Sequence, residues 1–409
     1  MEIRAISFFT QLPIHPSLQQ MREHLAPLSL QAAQVKELFT DAGFAVQNLR
    51  LATQPLEQLL PRGATSQQLT TFAQQFEQAA SEAGFNHMAL GTLGASITTA
   101  DESCKDNLIQ QLLMGIPAVI GGTDWVFTSV QLANQAAGFK AELLPLAAQV
   151  VLDNVPVKED GFGNLRYCMV ANMQAFSPFF PAAWHDGSSP TAFSVAIESA
   201  DKVVDLLEAI DETEQRWLAG PDLIACFNAI GAELDGLGIK AAECTNLEYR
   251  GIDMTPSPYP SVRRSFGRIV ELLTNDTFGG PGTIAAIALI KQSLDAAEFQ
   301  RAGYCAVMLL PLEDAVLAEA AKAEGGYDIA TLLACAAVGA TGLDVIPVSG
   351  NIPKKKIEGL MRDIAQLAIT LNKPLTVRLL PVPELQAGEL TKFNFDYFAS
   401  THVFDLPGD

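Results

Sequence analysis

A chain of 409 residues that is 49% hydrophobic holds enough apolar material for a large buried core, in one domain or two close-packed ones. Its formal net charge of -20, from 26 basic and 46 acidic residues, excludes a general nucleic-acid surface, because phosphate backbones need positive potential. The six cysteines form no CxxC pair and no disulfide scaffold, no apolar run approaches the ~20 residues of a membrane span, and the opening MEIRAISFFTQLP lacks the parts of a secretory leader, so a cytoplasmic setting is expected.

Residues 2–10 (EIRAISFFT) read as a first strand, 28–43 as an amphipathic helix and 44–51 as a second strand. A helix over 67–84 and a strand over 85–90 follow. Residues 101–114 look helical until Gly115-Ile116-Pro117 interrupts them, since proline has no amide hydrogen to give. A strand is expected over 124–130, a helix over 132–148 and a short buried strand over 167–173. The stretch QAFSPFFPAAWHDGSSP is dense in aromatics and prolines, which makes it stiff and locally shaped. A strand over 192–198 leads to helices over 200–209 and 212–228, with a break expected at Gly220-Pro221, and to a strand over 249–254. The second half repeats the alternation: helices over 265–273 and 282–294, a strand over 304–310, helices over 314–321 and 327–336, a strand over 343–348, a helix over 353–371 and a strand over 376–382.

About ten strand candidates alternating with helices predict an α/β fold with mostly parallel pairing. An open doubly wound sheet and a closed barrel both satisfy that order. No low-complexity linker divides the chain, so residues 1–409 are expected to form a single large α/β domain, with 132–163 and 382–409 as peripheral elements.

Candidate chemistry gathers between residues 247 and 290. Asp253 follows a strand, where loops of α/β proteins commonly carry ligand-binding groups. Ser257, Tyr259, Arg263 and Arg264 lie in the proline-stiffened loop after it, and an arginine there could hold a carboxylate or phosphate bidentately. A proline-rich turn with a solvated arginine pair explains the same residues. Gly279, Gly280, Gly282 and Thr283 form a glycine-rich turn into a helix whose first amides could meet an anion, although the pattern is neither a P-loop nor a dinucleotide fingerprint and a structural turn serves equally. His185, between Trp184 and Asp186, can titrate near neutral pH, or can belong to an aromatic cluster. Glu313 and Asp314 precede a helix whose dipole stabilises them without any catalysis. Asp344 sits within a strand and needs a polar partner if buried. His87 lies in a strand and suits a satisfied core position, with a role in a site as the alternative. No HxxxH, HExxH or GxSxG spacing occurs, so neither a metal nor a serine triad is indicated.

The segments GIDMTPSPYPSV, FGGPGTIAAIALI, VGATGLDVIPVSGNIP and SPFFPAAWHDG together resemble the DUF711 family, also called UPF0210, of uncharacterised bacterial and archaeal proteins. The resemblance covers most of the chain and is weakest over 132–163 and at the C-terminus. It implies a roughly ten-stranded α/β barrel like that of pyruvate formate-lyase, with helices outside and a site inside or at the mouth. It does not imply radical chemistry: no RVxGY-like segment lies near the end, so a glycyl radical is not expected, and no other cofactor is named by the sequence. The expected function is acid–base chemistry on a polar, anionic metabolite, by a lyase, isomerase or hydrolase. His185 would exchange the proton with Asp253 or Asp344 as partner, and Arg263 would hold the anion. A noncatalytic metabolite-binding or regulatory protein is the rival reading. Apolar helices from residue 285 onward could support a homodimer, and intrachain packing explains them as well.

Overall fold

The computed structural model describes residues 1–97 and 103–406, and side chains outside 103–106. The first two residues of the helix expected over 101–114 therefore lie outside the described residues, as does the Cys104 side chain. The chain is a mixed α/β protein with a ten-stranded sheet. In chain order the strands are β1 (Glu2–Phe9), β2 (Leu49–Pro55), β3 (His87–Gly91), β4 (Val126–Asn134), β5 (Gly138–Phe139), β6 (Tyr167–Ala171), β7 (Ala192–Glu198), β8 (Glu248–Asp253), β9 (Gly342–Ser349) and β10 (Leu375–Val382). Their spatial order is β8-β7-β1-β2-β3-β4-β6-β10-β9, with β5 paired to β4.

The sheet has a central parallel block of five strands flanked by two parallel pairs that run the opposite way. β1, β2, β3, β4 and β6 run parallel in succession, as do β7 with β8 and β9 with β10. Antiparallel pairs β1–β7 and β6–β10 join the flanking pairs to the central block. Every residue of β2 and of β10 is buried, as expected of strands covered on both faces.

One face packs on helices. The helix Leu18–Asp41 presents Met21, Leu25, Leu28, Ala32, Val35 and Phe39, a stripe at helical spacing. It begins ten residues before the expected start at 28, because a capping box of Ser17 and Gln20 fixes its amino end and Pro27 is carried inside for the loss of one backbone bond. Pro117 is likewise carried within Ser103–Gly122. The Gly220-Pro221 pair, expected to break a helix, starts the 26-residue helix Gly220–Thr245, where a proline's missing donor is not needed. Residues 132–148, expected as a helix, instead extend β4, form β5 and enter the helix Leu144–Asp153.

The other face carries alanines and serines among larger side chains and is filled by the chain itself. Phe176, Phe180 and Ala183 pack with Phe9, Ala52, Ala89, Phe127 and Ala192 in one buried cluster. Inward hydroxyls hold this inserted segment: Ser7 donates to the Pro178 carbonyl at 2.9 Å, Ser194 to Phe176 at 2.8 Å and Ser129 to Pro181 at 3.0 Å. Residues 304–310, expected as a strand, are irregular because Gly303 and Cys305 take positive φ values of 68° and 42°. The surrounding segment still bridges both sheet edges in parallel, through Ile252–Arg301 beside β8 and Val307–Ala340 beside β9. No described helix is long and apolar enough to cross a membrane.

Candidate functional site: a cavity with three arginines

A cavity of about 410 Å³ opens at the amino-terminal ends of β1, β2, β3, β4 and β6. Because β7 and β8 run opposite to the central block, the same mouth meets Ser257, just beyond the carboxyl end of β8. The strands deliver Arg4, Arg50, His87, Phe127, Cys168, Asp344, Thr376 and Arg378 to its wall. The inserted segment adds Phe179 and Phe180, and the C-terminal stretch adds Phe395 and Tyr397.

The three arginines differ in how their charge is met. Arg4 donates to Glu198 at 2.8 Å and to Glu313 at 2.7 Å. Arg378 grips Asp344 with two bonds, at 2.6 and 3.1 Å, and donates to the Leu165 carbonyl at 3.1 Å. Burial acts to lower the Arg378 pKa, and the adjacent Asp344 charge more than reverses that. Arg50 has no carboxylate partner among the described residues. Its Nη1 donates to the Pro178 carbonyl at 3.5 Å, its guanidinium carbon lies 5.4 Å from the Phe180 ring centre, and its Nε is buried without a partner among the described residues. Burial, reinforced by the charge of Arg4, pushes Arg50 down to about 9.

His87 is the in-register neighbour of Arg50 on the adjacent parallel strand. Its ring meets Trp125 and Phe127 edge-on, at 4.9 and 5.6 Å between centres, and its Nδ1 is buried with no partner among the described residues. Burial, then the Arg50 and Arg4 charges, lowers its pKa to about 3, so the imidazole is neutral at physiological pH. Cys168 is pushed up to about 12 by burial and stays a thiol rather than a thiolate nucleophile.

Of the residues singled out in the sequence, Ser257, Glu313 and Asp344 line this cavity. Tyr259 stands behind it, against Tyr397 at 5.8 Å and under Arg264 at 3.8 Å. Arg264 itself pairs with Glu198 at 3.1 Å and Glu2 at 3.5 Å. Arg263 lies at the surface, 69% exposed and paired with Asp205 at 2.7 Å. Asp253 is buried and accepts from the amides of Thr255, Tyr304 and Cys305 and from the Thr255 hydroxyl. Burial raises it to about 6 against the pull of those donors. His185 is fully buried beside Phe176: Nδ1 accepts from the Gly187 amide at 2.9 Å, and Nε2 faces the Pro190 carbonyl at 3.2 Å. Asp314 caps the helix Ala315–Lys322 and also accepts from Ser265, Phe266 and Gly267. The Gly279, Gly280, Gly282 and Thr283 turn closes on itself, Thr283 Oγ1 accepting from the Gly279 amide at 3.0 Å, and Gly279 packs against Tyr327.

Sequence reasoning passed over Arg4, Arg50 and Arg378. A signal was present: each is a single arginine within a largely apolar strand, in EIRAISFF, LRLATQP and TVRLLPV. A strand covered on both faces has no water to receive a charge, so such a residue must meet an anion or a cavity. Among the described residues no group of three histidine, cysteine or acidic side chains could hold a metal ion.

The chain is similar to several proteins that carry only a family name. A UPF0210 protein of Methanopyrus kandleri is 26% identical over 406 residues, covering 95% of this chain and 88% of that protein. One from Carboxydothermus hydrogenoformans is 25% identical over 364 residues, covering 88% and 79%. One from Neisseria meningitidis is 25% identical over 366 residues, with the same two coverages. The model of the uncharacterised DUF711 family matches residues 1–394, and the chain belongs to that family.

Proposed function

We propose that this protein is an enzyme that binds a small anionic metabolite in the arginine-lined cavity and moves a proton on it. The observation that carries the reading is Arg50: a buried guanidinium, facing a cavity, with no carboxylate partner among the described residues. A ligand carboxylate would supply the missing counter-charge in a low-dielectric site, where a bidentate guanidinium pair is strongest. Anion recognition thus falls on Arg50 rather than on the surface residue Arg263.

His87 is the proposed proton acceptor. It is neutral, its Nδ1 is free to accept among the described residues, and it stands beside Arg50. A ligand anion on Arg50 would cancel one of the charges that depress the imidazole, raising its basicity toward the useful range. The chemistry is that of a lyase, isomerase or hydrolase. The cavity walls belong, in this reading, to a closed barrel similar to that of pyruvate formate-lyase. The Ile252–Arg301 and Val307–Ala340 bridges support closure, because one segment touches both free edges of the sheet. The five described cysteines are unpaired, which supports a reducing, cytoplasmic setting.

The test is incubation with a mixed metabolite extract, read by mass spectrometry, for the parent protein and for folded Arg50→Met and His87→Gln variants. A metabolite consumed by the parent, retained but unchanged by His87→Gln and ignored by Arg50→Met is the expected result. Unaltered consumption by both variants would remove the proposal. A noncatalytic binding protein is favoured by one observation, the engagement of Asp344 and Glu313 by arginines, which leaves no free carboxylate among the described lining residues to act as a second acid or base. Retention without turnover by the parent would select it.

A further inference from the structure

The cavity also constrains the rest of its ligand, and this step rests on the reading of Arg50 as an anion receptor. Charge comes first. Arg4 and Arg378 are already bonded to carboxylates, and His87 is neutral, so one guanidinium remains to be matched. A single negative charge completes the balance. A dianion would face Glu313 and Asp344 with its second charge uncompensated.

Shape and surface come second. Trp125 enters from the turn before β4 and Phe127 from β4, Phe179 and Phe180 from the inserted segment, and Phe395 and Tyr397 from the C-terminal stretch. Two of the contacts are edge-to-face, Phe127 on Phe180 at 5.9 Å and 62° and His87 on Trp125 at 86°, while Phe395 and Tyr397 meet tilted at 44°. Ring walls of this kind offer positive edges and negative faces that a planar π-system can complement and an alkyl chain cannot. Trp125 remains 42% exposed, a large apolar side chain at the mouth. The volume of about 410 Å³ lies within the ~300–1,000 Å³ typical of small-molecule sites.

We infer that the ligand is an aromatic monocarboxylate, its carboxylate on Arg50 and its ring against the walls that Trp125, Phe127, Phe180 and Tyr397 provide. The ring lies between the buried charge and the mouth, so Trp125 sets the preference for an aryl group and Arg50 the need for one negative charge.

Isothermal titration of the intact chain with benzoate, phenylacetate, hexanoate, phenyl phosphate and benzamide tests both halves of the inference. The aryl carboxylates are expected to bind at least about tenfold tighter than the other three. Arg50→Met should abolish that binding. Trp125→Leu, a change at an exposed position that spares the core, should erase the advantage of phenylacetate over hexanoate while hexanoate binding persists. Hexanoate or phenyl phosphate bound as tightly as the aryl carboxylates would overturn the aromatic monoanion and leave the anion site standing. Benzamide bound as tightly as benzoate would overturn the charge requirement. Failure of all the anions to bind, or binding indifferent to Arg50→Met, would overturn this inference and the anion site together. Should Arg50→Met fail to fold, Arg50→Lys retains the charge without the fork and is expected to weaken the aryl carboxylates by about tenfold.

Discussion

Arg50 and Arg378 bring the same charge into one cavity, yet removing each should act on stability in opposite ways. Truncating Arg378 to methionine leaves Asp344 buried with its charge unmatched, a loss expected at about 3–5 kcal/mol in urea unfolding. Replacing the pair together, Arg378→Met with Asp344→Leu, should recover most of it, because buried ion pairs exchanged for apolar side chains are near neutral. Arg50→Met removes a cation with no carboxylate partner among the described residues and should leave stability unchanged or raise it. A double variant no more stable than Arg378→Met alone would refute the ion-pair account. At this scale much of the site was hidden. His185 and Asp253 carry chemistry-bearing side chains, but His185 is taken up by the Gly187 amide and Pro190 carbonyl of its own loop, and Asp253 by the Tyr304 and Cys305 amides, which only the tertiary fold brings to it. Asp344 was legible as a buried acid in need of a partner; that the partner is Arg378, 34 residues later, follows only from the pairing of β9 with β10.

The element that most shapes the cavity is the inserted aromatic segment around residues 174–187. Its stiffness was legible from its prolines and rings, but its destination was not. Entry is permitted by the alanines and serines on the inward positions of β1, β2, β3 and β7, and periodicity reads those residues only as small and strand-compatible. Ala89 is fully buried within the cluster that holds Phe176 and Phe180. Ala89→Leu should therefore overpack this face and destabilise the chain by about 1–3 kcal/mol, with a matching loss of ligand affinity as Phe180 is displaced. Leu90→Met, one residue on and facing the helices, conserves volume and should cost less than about 1.5 kcal/mol with affinity unchanged. Equal effects of the two on unfolding midpoints and on titration would mean that the inward face tolerates volume and does not shape the site. Helix ends show the same limit of local reading: Pro27 and Pro117 sit within helices because the packing of the surrounding turns outweighs one missing bond.

For the molecule as a whole, the alternation of strands and helices made the α/β class legible, while the way the sheet ends depends on a segment with no regular strand of its own. Four backbone bonds tie residues 300–307 to both edges: Ile252 N–H donates to Gln300, Ala302 to Ile252, Val307 to Gly339 and Thr341 to Val307, at 2.8–3.0 Å. Gly303 is required there: a β-carbon would lie 2.2 Å from Asp253 Oδ2, at a φ of 68° that side chains rarely adopt. If these bonds close the sheet, the amides of Ala302, Val307 and Thr341 belong to a ring without edges. They should then exchange hydrogen as slowly as the Ile6 and Thr10 amides in the middle of the sheet, opening only with global unfolding. Gly303→Ala should release them selectively, raising their exchange rates while Ile6 and Thr10 stay protected. Fast exchange of Ala302 and Val307 in the unaltered chain would instead describe an open sheet with a loosely laid strap. The cavity walls would then move relative to each other, and the affinity of any anion for Arg50 would fall with the fraction of molecules in which the strap is undone.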